Sequence, residues 1–211
     1  DAVLVGTPDH WHVLASIAAA KAGKHVYCEK PLSNTVREGR ALVNAITRYG
    51  VVFQHGTQLR SSRNVRFACE LVRNGRIGQL QTVKIGLPGD PSGPVEPEMA
   101  IPPNLNYDMW LGCTPLVPYT EKRVHPQKDY SRPGWLRIES YCLGMITGWG
   151  SHHVDIAHWG MDTELTGPIE AEARPFPRDE TTPPVTKMYL VKRPRPSRGR
   201  GAPARARGPR G

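Results

Sequence analysis

Several things are scarce in this 211-residue chain, and each scarcity narrows what it can be. No apolar run approaches the roughly 18 residues that a membrane-spanning helix needs. No basic segment followed by an apolar stretch opens the chain, so no export signal is visible. Position 1 is Asp rather than Met, so a processed or incomplete start is expected. Cysteines are few and far apart: Cys28, Cys69, Cys113 and Cys142. They form no CxxC pair, which excludes a zinc ribbon on spacing and makes a disulfide framework an unexpected solution at this length. Scattered thiols fit a reducing compartment, and a cytoplasmic location is the expectation. No internal repeat occurs.

Acid is missing from one place only. Residues 192–211 hold one Lys and seven Arg and no carboxylate, within a chain whose formal net charge is +9. The remaining 191 residues are therefore nearly neutral, and the body does not read as a nucleic-acid binder. The positive charge belongs to the tail. That tail has no apolar side chain larger than Ala or Pro and is expected to be disordered.

What is present begins with a regular alternation. Ala2–Val5 is short and wholly apolar, as in a strand buried on both faces. A helix pattern runs from about His10 to Ala22, with Val13, Leu14, Ile17 and Ala18 on one stripe and Gly23 at its end. His25–Cys28 reads as a second strand. Thr35 with Glu38 makes a capping box for a helix ending near Tyr49, with Val36, Leu42, Val43 and Ile46 inward and Gly50 closing it. Val51–Phe53 reads as a third strand. This succession predicts βαβ units on a parallel sheet. A further helix is expected from about Arg63 to Arg73, with Val65, Ala68, Leu71 and Val72 inward. An alternating strand at Leu80–Leu87 places Val83, Ile85 and Leu87 on one face. Residues 88–106 read as irregular. So do most of residues 107–140, where Tyr107, Trp110, Tyr119, Tyr130 and Trp135 lie among prolines. A short helix is expected from about His152 to Trp159.

Three segments carry chemistry. Thr7–His12 (TPDHWH) sits where a buried parallel strand gives way to a helix, the edge at which open α/β sheets bind ligands. By local pattern alone, ordinary turn chemistry, with Asp9 as cap and two solvent-facing histidines, is the favoured reading. Cys28–Pro31 (CEKP) follows the next strand at the same edge. Lys30 there either meets a ligand, orienting a hydroxyl or moving a proton, or forms a surface pair with Glu29. Gly148–Trp159 holds three histidines and Asp155, and on a helix His152, Asp155 and Trp159 share a face. A metal bound by His152, Asp155 and His158 is not expected, because that spacing drifts around the helix.

DAVLVGTPDHWH, AGKHVYCEKPLSNTVREGRALV, YDMWLG and GWGSHHVDIAHWGM, in that order, resemble the Gfo/Idh/MocA family of nicotinamide-dependent oxidoreductases over residues 1–170. The resemblance implies an α/β fold: part of a Rossmann domain with a parallel sheet at 1–58, then part of an α/β domain with a mostly antiparallel sheet at 59–191, then the tail at 192–211. It implies an NAD or NADP cofactor, a sugar- or cyclitol-like alcohol as substrate, and a homo-oligomer when full length, with no membrane partner. By position, Thr7, Pro8 and His12 match a loop that contacts the cofactor, as do Glu29, Lys30 and Pro31 of the EKP motif. Lys30 and His152 match the catalytic pair, with His152 as proton acceptor. Tyr107, Trp110, His153 and Asp155 are expected to face the sugar. Cofactor-assisted glycoside hydrolysis, and a non-catalytic product with an anion-binding tail, are the alternatives.

Two departures stand out. Gly148 occupies a position where many members carry Asp, four residues before the motif His. No GxGxxG occurs in residues 1–191, so the chain reads as starting at the fourth Rossmann strand. The change after Pro177 to an Arg-, Pro- and Gly-rich composition suggests a shifted reading frame. Without the glycine-rich turn the pyrophosphate cradle is lacking, and this chain alone should bind dinucleotide weakly or not at all. Titration with NADH followed by fluorescence checks this; micromolar affinity would overturn it.

Overall fold

The computed structural model describes residues 1–90, 93–124 and 134–166, and the backbone of two strands at 170–175 and 186–191. Tyr130 and the tail at 192–211 lie outside the described residues.

A three-stranded parallel sheet forms the first layer. Its strands are β1 (Ala2–Val5), β2 (His25–Glu29) and β3 (Phe53–Gly56), in the order β1-β2-β3. The register sets Val5 beside Cys28, Cys28 beside His55, and Glu29 beside Gly56. All three carboxyl ends therefore reach one edge. The crossovers are α1 (Asp9–Lys21) and α2 (Val36–Tyr49), which pack against each other. The capping box forms as expected: Glu38 N donates to the Thr35 hydroxyl at 3.1 Å, and Thr35 N donates to Glu38 Oε2 at 3.0 Å. Gly50 ends α2 in the left-handed region, at φ 63°.

The second layer is antiparallel. β4 (Thr82–Leu87) and β5 (Glu170–Pro175) flank a central β6 (Thr186–Val191). Three helices accompany it: α3 (Arg63–Arg73), α5 (Gly144–Gly148) and α6 (Gly150–Met161), with the single-turn-and-a-half α4 (Tyr107–Leu111) in the loop-rich stretch between. A 3-10 turn at Gln58–Ser61 joins β3 to α3.

Among the described residues, three apolar clusters stand out. Val5, Ala19, Val26 and Cys28 pack between α1 and the parallel sheet. Ile85 and Leu87 of β4 pack on Ala157 and Met161 of α6, matching the face expected of that strand. Tyr107, Leu111, Tyr119 and Tyr141 form an aromatic cluster.

Several sequence expectations shift. The inner face of α1 is Val13, Ser16, Ala19 and Ala20, with His10 and His12 also buried, so Leu14 and Ala18 face outward. The helix turns toward its polar anchors instead of its largest apolar stripe. In β1 only Val5 is buried, and Leu4 is 73% exposed, because β1 pairs on one edge only and α1 covers one face. In α2 Leu42 is buried while Val36 is 90% exposed and Val43 is exposed too. In α3 the buried residue is Cys69, whose thiol donates to Ile156 O, and Ala68 and Leu71 are exposed. The third strand starts at Phe53, two residues later than expected. α5 and β6 lie outside the elements that the sequence pattern predicts: α5 contains two glycines in five residues, and β6 follows Pro177, after which the pattern stops alternating.

Leu87 is nearly inaccessible and touches the first turn of α6, its Cδ1 lying 3.6 Å from where a Cβ on Gly150 would be. Leu87→Ala should lower stability by about 2–4 kcal/mol, measured by chemical denaturation; a loss below about 0.5 kcal/mol would mean that β4 and α6 do not share a core.

Candidate functional site

The site starts from a histidine held between two turns. His12 is in the first turn and a half of α1 and is 1% exposed. Its Nδ1 lies 2.6 Å from Pro31 O and its Nε2 2.9 Å from Thr7 O. Carbonyl oxygens only accept, so both ring nitrogens must donate, and the ring that satisfies both is the imidazolium. Burial opposes that charge. The hydrogen bonds to the Cys28 sulfur and to Pro31 O, with the charges of Cys28 and Asp9, outweigh it and push the pKa up to about 9. One side chain thus ties the loop after β1, which holds Thr7 and Pro8, to the turn after β2, which holds Glu29, Lys30 and the cis-bonded Pro31.

The same helix turn docks on the second half of the chain. His10 Nε2 lies 2.9 Å from Trp110 O, and Trp11 Nε1 donates to the same oxygen at 3.2 Å. The His10 ring lies 5.1 Å from Tyr141 and 5.4 Å from Trp110. Burial keeps His10 below the ordinary histidine pKa, hence neutral. Asp9 is the first residue of the helix rather than its cap, and is buried. Burial raises its carboxyl pKa; a hydrogen bond with Cys142 and the charges of His12 and Lys30 work the other way. The Cys142 thiol is itself pushed up to about 12, by burial first and by Asp9 next.

His152 lies in the first turn of α6. It is 5% exposed, and its Nδ1 is buried without a hydrogen-bond partner. Burial holds its pKa below the ordinary value, reinforced by the charges of Lys30 and His153 and offset by Glu29 and Asp155. The charge of Lys30, from the turn after β2, is thus near enough to act on His152 of α6. Glu29 steadies the turn: its Oε2 accepts from Lys30 N at 3.3 Å. Gly56, opposite Glu29, is closely approached: a Cβ there would lie 3.1 Å from Cys28 O and Glu29 Cα, so a side chain requires the backbone to give way.

His55 joins this group and was not anticipated. It is the next-to-last residue of β3, beside Cys28, and its Nε2 is buried without a partner. Burial lowers its pKa, with Asp155, His12, Glu29 and His152 all near enough to act on it. The signal was a polar residue closing an apolar strand at the ligand-binding edge, which a strand placed two residues early had hidden.

The residues expected to face a sugar separate. Tyr107 is 4% exposed, stacks on Trp110 at 6.2 Å and donates its hydroxyl to Pro118 O at 3.4 Å, so it belongs to the aromatic cluster. Trp110 packs edge-on to Tyr141 at 4.7 Å and supplies the carbonyl that receives His10 and Trp11. His153 lies 5.7 Å from the Trp149 ring and lines a hollow with Val83, Ile85 and Ile156 of the β4 side. Both oxygens of Asp155 are taken by Arg60, at 2.6 and 2.8 Å. His158, considered above as a metal ligand, has Nδ1 3.0 Å from Thr163 Oγ1. At Gly148 a Cβ would meet only Met145 Cε, at 3.9 Å, so the position has space for a side chain.

Comparison with known proteins places this geometry among relatives. Residues 1–57 match the profile "Oxidoreductase family, NAD-binding Rossmann fold", and residues 93–183 match "Oxidoreductase family, C-terminal alpha/beta domain". A levoglucosan dehydrogenase of Pseudarthrobacter phenanthrenivorans is 37% identical over 76 residues, covering 36% of this chain and 20% of that protein. A myo-inositol 2-dehydrogenase of Thermotoga maritima is 38% identical over 85 residues, covering 40% of this chain and 25% of that protein. The matches with these curated relatives thus span about a fifth to a quarter of their length. Among solved structures, GenD2 from gentamicin A biosynthesis, in complex with NAD, aligns over 82% of this chain and 39% of its own with a TM-score of 0.53 at 21% identity, which speaks to fold alone. Among the described residues no helix is long and apolar enough to cross a membrane.

His12 makes stability depend on pH in a stated direction. Its folded pKa, about 9, exceeds the unfolded value of about 6.5. Its contribution is therefore complete below about pH 6.5 and is lost as pH rises through about 9. His12→Gln should remove this dependence and cost, near neutral pH, on the order of 3 kcal/mol. Urea denaturation of both proteins across that range checks it; parallel profiles would refute the charged clamp.

Proposed function

The chain belongs to the Gfo/Idh/MocA oxidoreductase family, and on that premise we propose that it serves an NAD(P)-dependent dehydrogenase that moves a hydride between nicotinamide and a hydroxyl carbon of a sugar or cyclitol. One observation carries the reading. A buried histidine with an unpartnered nitrogen, His152, stands within electrostatic reach of Lys30 at the carboxyl edge of a parallel sheet, where such sheets bind ligands. The levoglucosan and inositol dehydrogenases among its relatives support the substrate class.

The residues present fit the nicotinamide end of the cofactor. The turns at Thr7–Pro8 and Glu29–Pro31 would hold it, with the buried, unpartnered nitrogens of His55 and His152 beside them. When bound, the nicotinamide supplies the hydride acceptor for alcohol oxidation. The chain's own residues do the rest. His152, neutral because burial and Lys30 disfavour its charge, takes the hydroxyl proton. The Lys30 ammonium donates to the same oxygen and stabilises the negative charge that develops there. Glu29 and the His12 clamp keep the Lys30 turn in place. Gly148, in place of the family's Asp, leaves this Lys-His pair to act without a third carboxylate.

Lys30→Met and His152→Gln should each lower kcat by about 10²–10⁴-fold while the thermal transition stays near wild type. Reduction of NAD or NADP, supplied at millimolar concentration because the chain is expected to bind it weakly, with a panel of cyclitols and pyranoses and followed by nicotinamide absorbance, checks this. The acid limb of kcat/KM should lie below the ordinary histidine pKa of about 6.5. Cleavage of an aryl glycoside with only catalytic cofactor and no net reduction would overturn the dehydrogenase reading in favour of hydrolysis. Full activity in both variants would remove the two residues from the mechanism.

A further inference from the structure

Arg60 lies in the 3-10 turn that follows β3, outside every motif considered above. Its guanidinium donates to both oxygens of Asp155, at 2.6 and 2.8 Å, and to Glu164 Oε1 at 2.8 Å. It also lies over the Trp159 ring, 5.0 Å from the centroid. Arg73 of α3 extends the network to Glu164 and to Asp162 at the end of α6. Asp155 and Trp159 fall on the helix face of α6 that carries His152. The other face, with Ala157 and Met161, is pressed on β4. Packing on β4 fixes how α6 sits against the antiparallel sheet. The guanidinium fixes how its polar face meets the end of β3, five residues after His55.

We propose that Arg60 is a positioning residue for His152: by gripping Asp155 and stacking on Trp159 it sets the rotation of α6 that aims His152 at the Lys30 turn, and it neutralises the carboxylate one turn away. The fork geometry matters. Asp155 is bound through two parallel N–H···O bonds and the guanidinium is planar over an indole, neither of which a lysine reproduces. The groups that act on His152 come from every element around it: Lys30 and Glu29 from the β2 turn, His55 from β3, and His153 and Asp155 from α6 itself. Asp155 favours the protonated ring and Lys30 opposes it. Losing Arg60 uncovers the first and loosens the second, so both changes push His152 the same way.

The inference gives the reading of His152 as proton acceptor its structural support, and its test does not use catalysis. Nitrogen-15 NMR titration of the histidines in the full 211-residue chain, with His152 assigned through His152→Gln, reads the pKa directly; amide hydrogen exchange reads the order of α6. Arg60→Gln should raise the His152 pKa by about half a unit, a roughly threefold change in the protonation equilibrium, and speed exchange in the first turn of α6. Asp155→Asn should lower the pKa while speeding exchange likewise. Arg60→Lys, which keeps the charge beside Asp155 but not the grip, should raise the pKa by less than Arg60→Gln does and leave exchange faster. A His152 pKa and exchange pattern unchanged in folded Arg60→Gln would overturn the proposal. Should that variant not fold, the same null result in Asp155→Asn and Arg60→Lys overturns it. If the wild-type protein shows no dehydrogenase activity but the titrations move as stated, the functional reading fails and the positioning role stands.

Discussion

A protonated imidazole between two backbone carbonyls is the constraint from which the rest of this structure follows. His12 cannot satisfy Thr7 O and Pro31 O together unless both its nitrogens carry hydrogen. That requirement holds the first two strand-end turns at a fixed separation. It also decides how α1 lies on the sheet. With His12 pinned inward, Val13, Ser16, Ala19 and Ala20 follow it into the interface and Leu14 is turned away. With α1 so placed, His10 and Trp11 meet the carbonyl of Trp110, and the aromatic cluster of the second half docks on the start of the helix. Polar anchoring comes first here, and apolar packing accommodates it.

The balance follows from the size of the apolar clusters. Among the described residues each of the three is small and joins only a few elements. What joins the parallel sheet to the antiparallel half is a set of directed contacts: His10 and Trp11 to Trp110, Asn34 to Tyr141 O, and Arg60 to Asp155. Directed contacts specify relative orientation in a way that area burial does not, since the hydrophobic effect is indifferent to angle. The proposed pairing of His152 on α6 with Lys30 in the β2 turn needs such specification. Buried polar atoms left without partners, at His152 and His55, are tolerated where the surroundings hold them in place.

The sequence by itself determined the local elements and the identity of the key pair. The capping box at Thr35 and Glu38, the glycine at position 50, the alternation along Thr82–Leu87 and the helix carrying His152 are set by interactions a few residues apart, and they stand where the pattern put them. The EKP turn and the histidine-rich segment drew attention to Lys30 and His152 only through their resemblance to a family pattern, which is carried by short stretches of chain. Which side of a helix is buried was not local: α1, α2 and α3 each present a face chosen by what they pack against. Tertiary structure alone took Tyr107 into a core, gave Asp155 to Arg60, and brought His55 beside residues almost a hundred positions away. The physical reason is the same in each case. A side chain's role depends on which partner reaches it first, and those partners come from elements that only the folded chain makes neighbours.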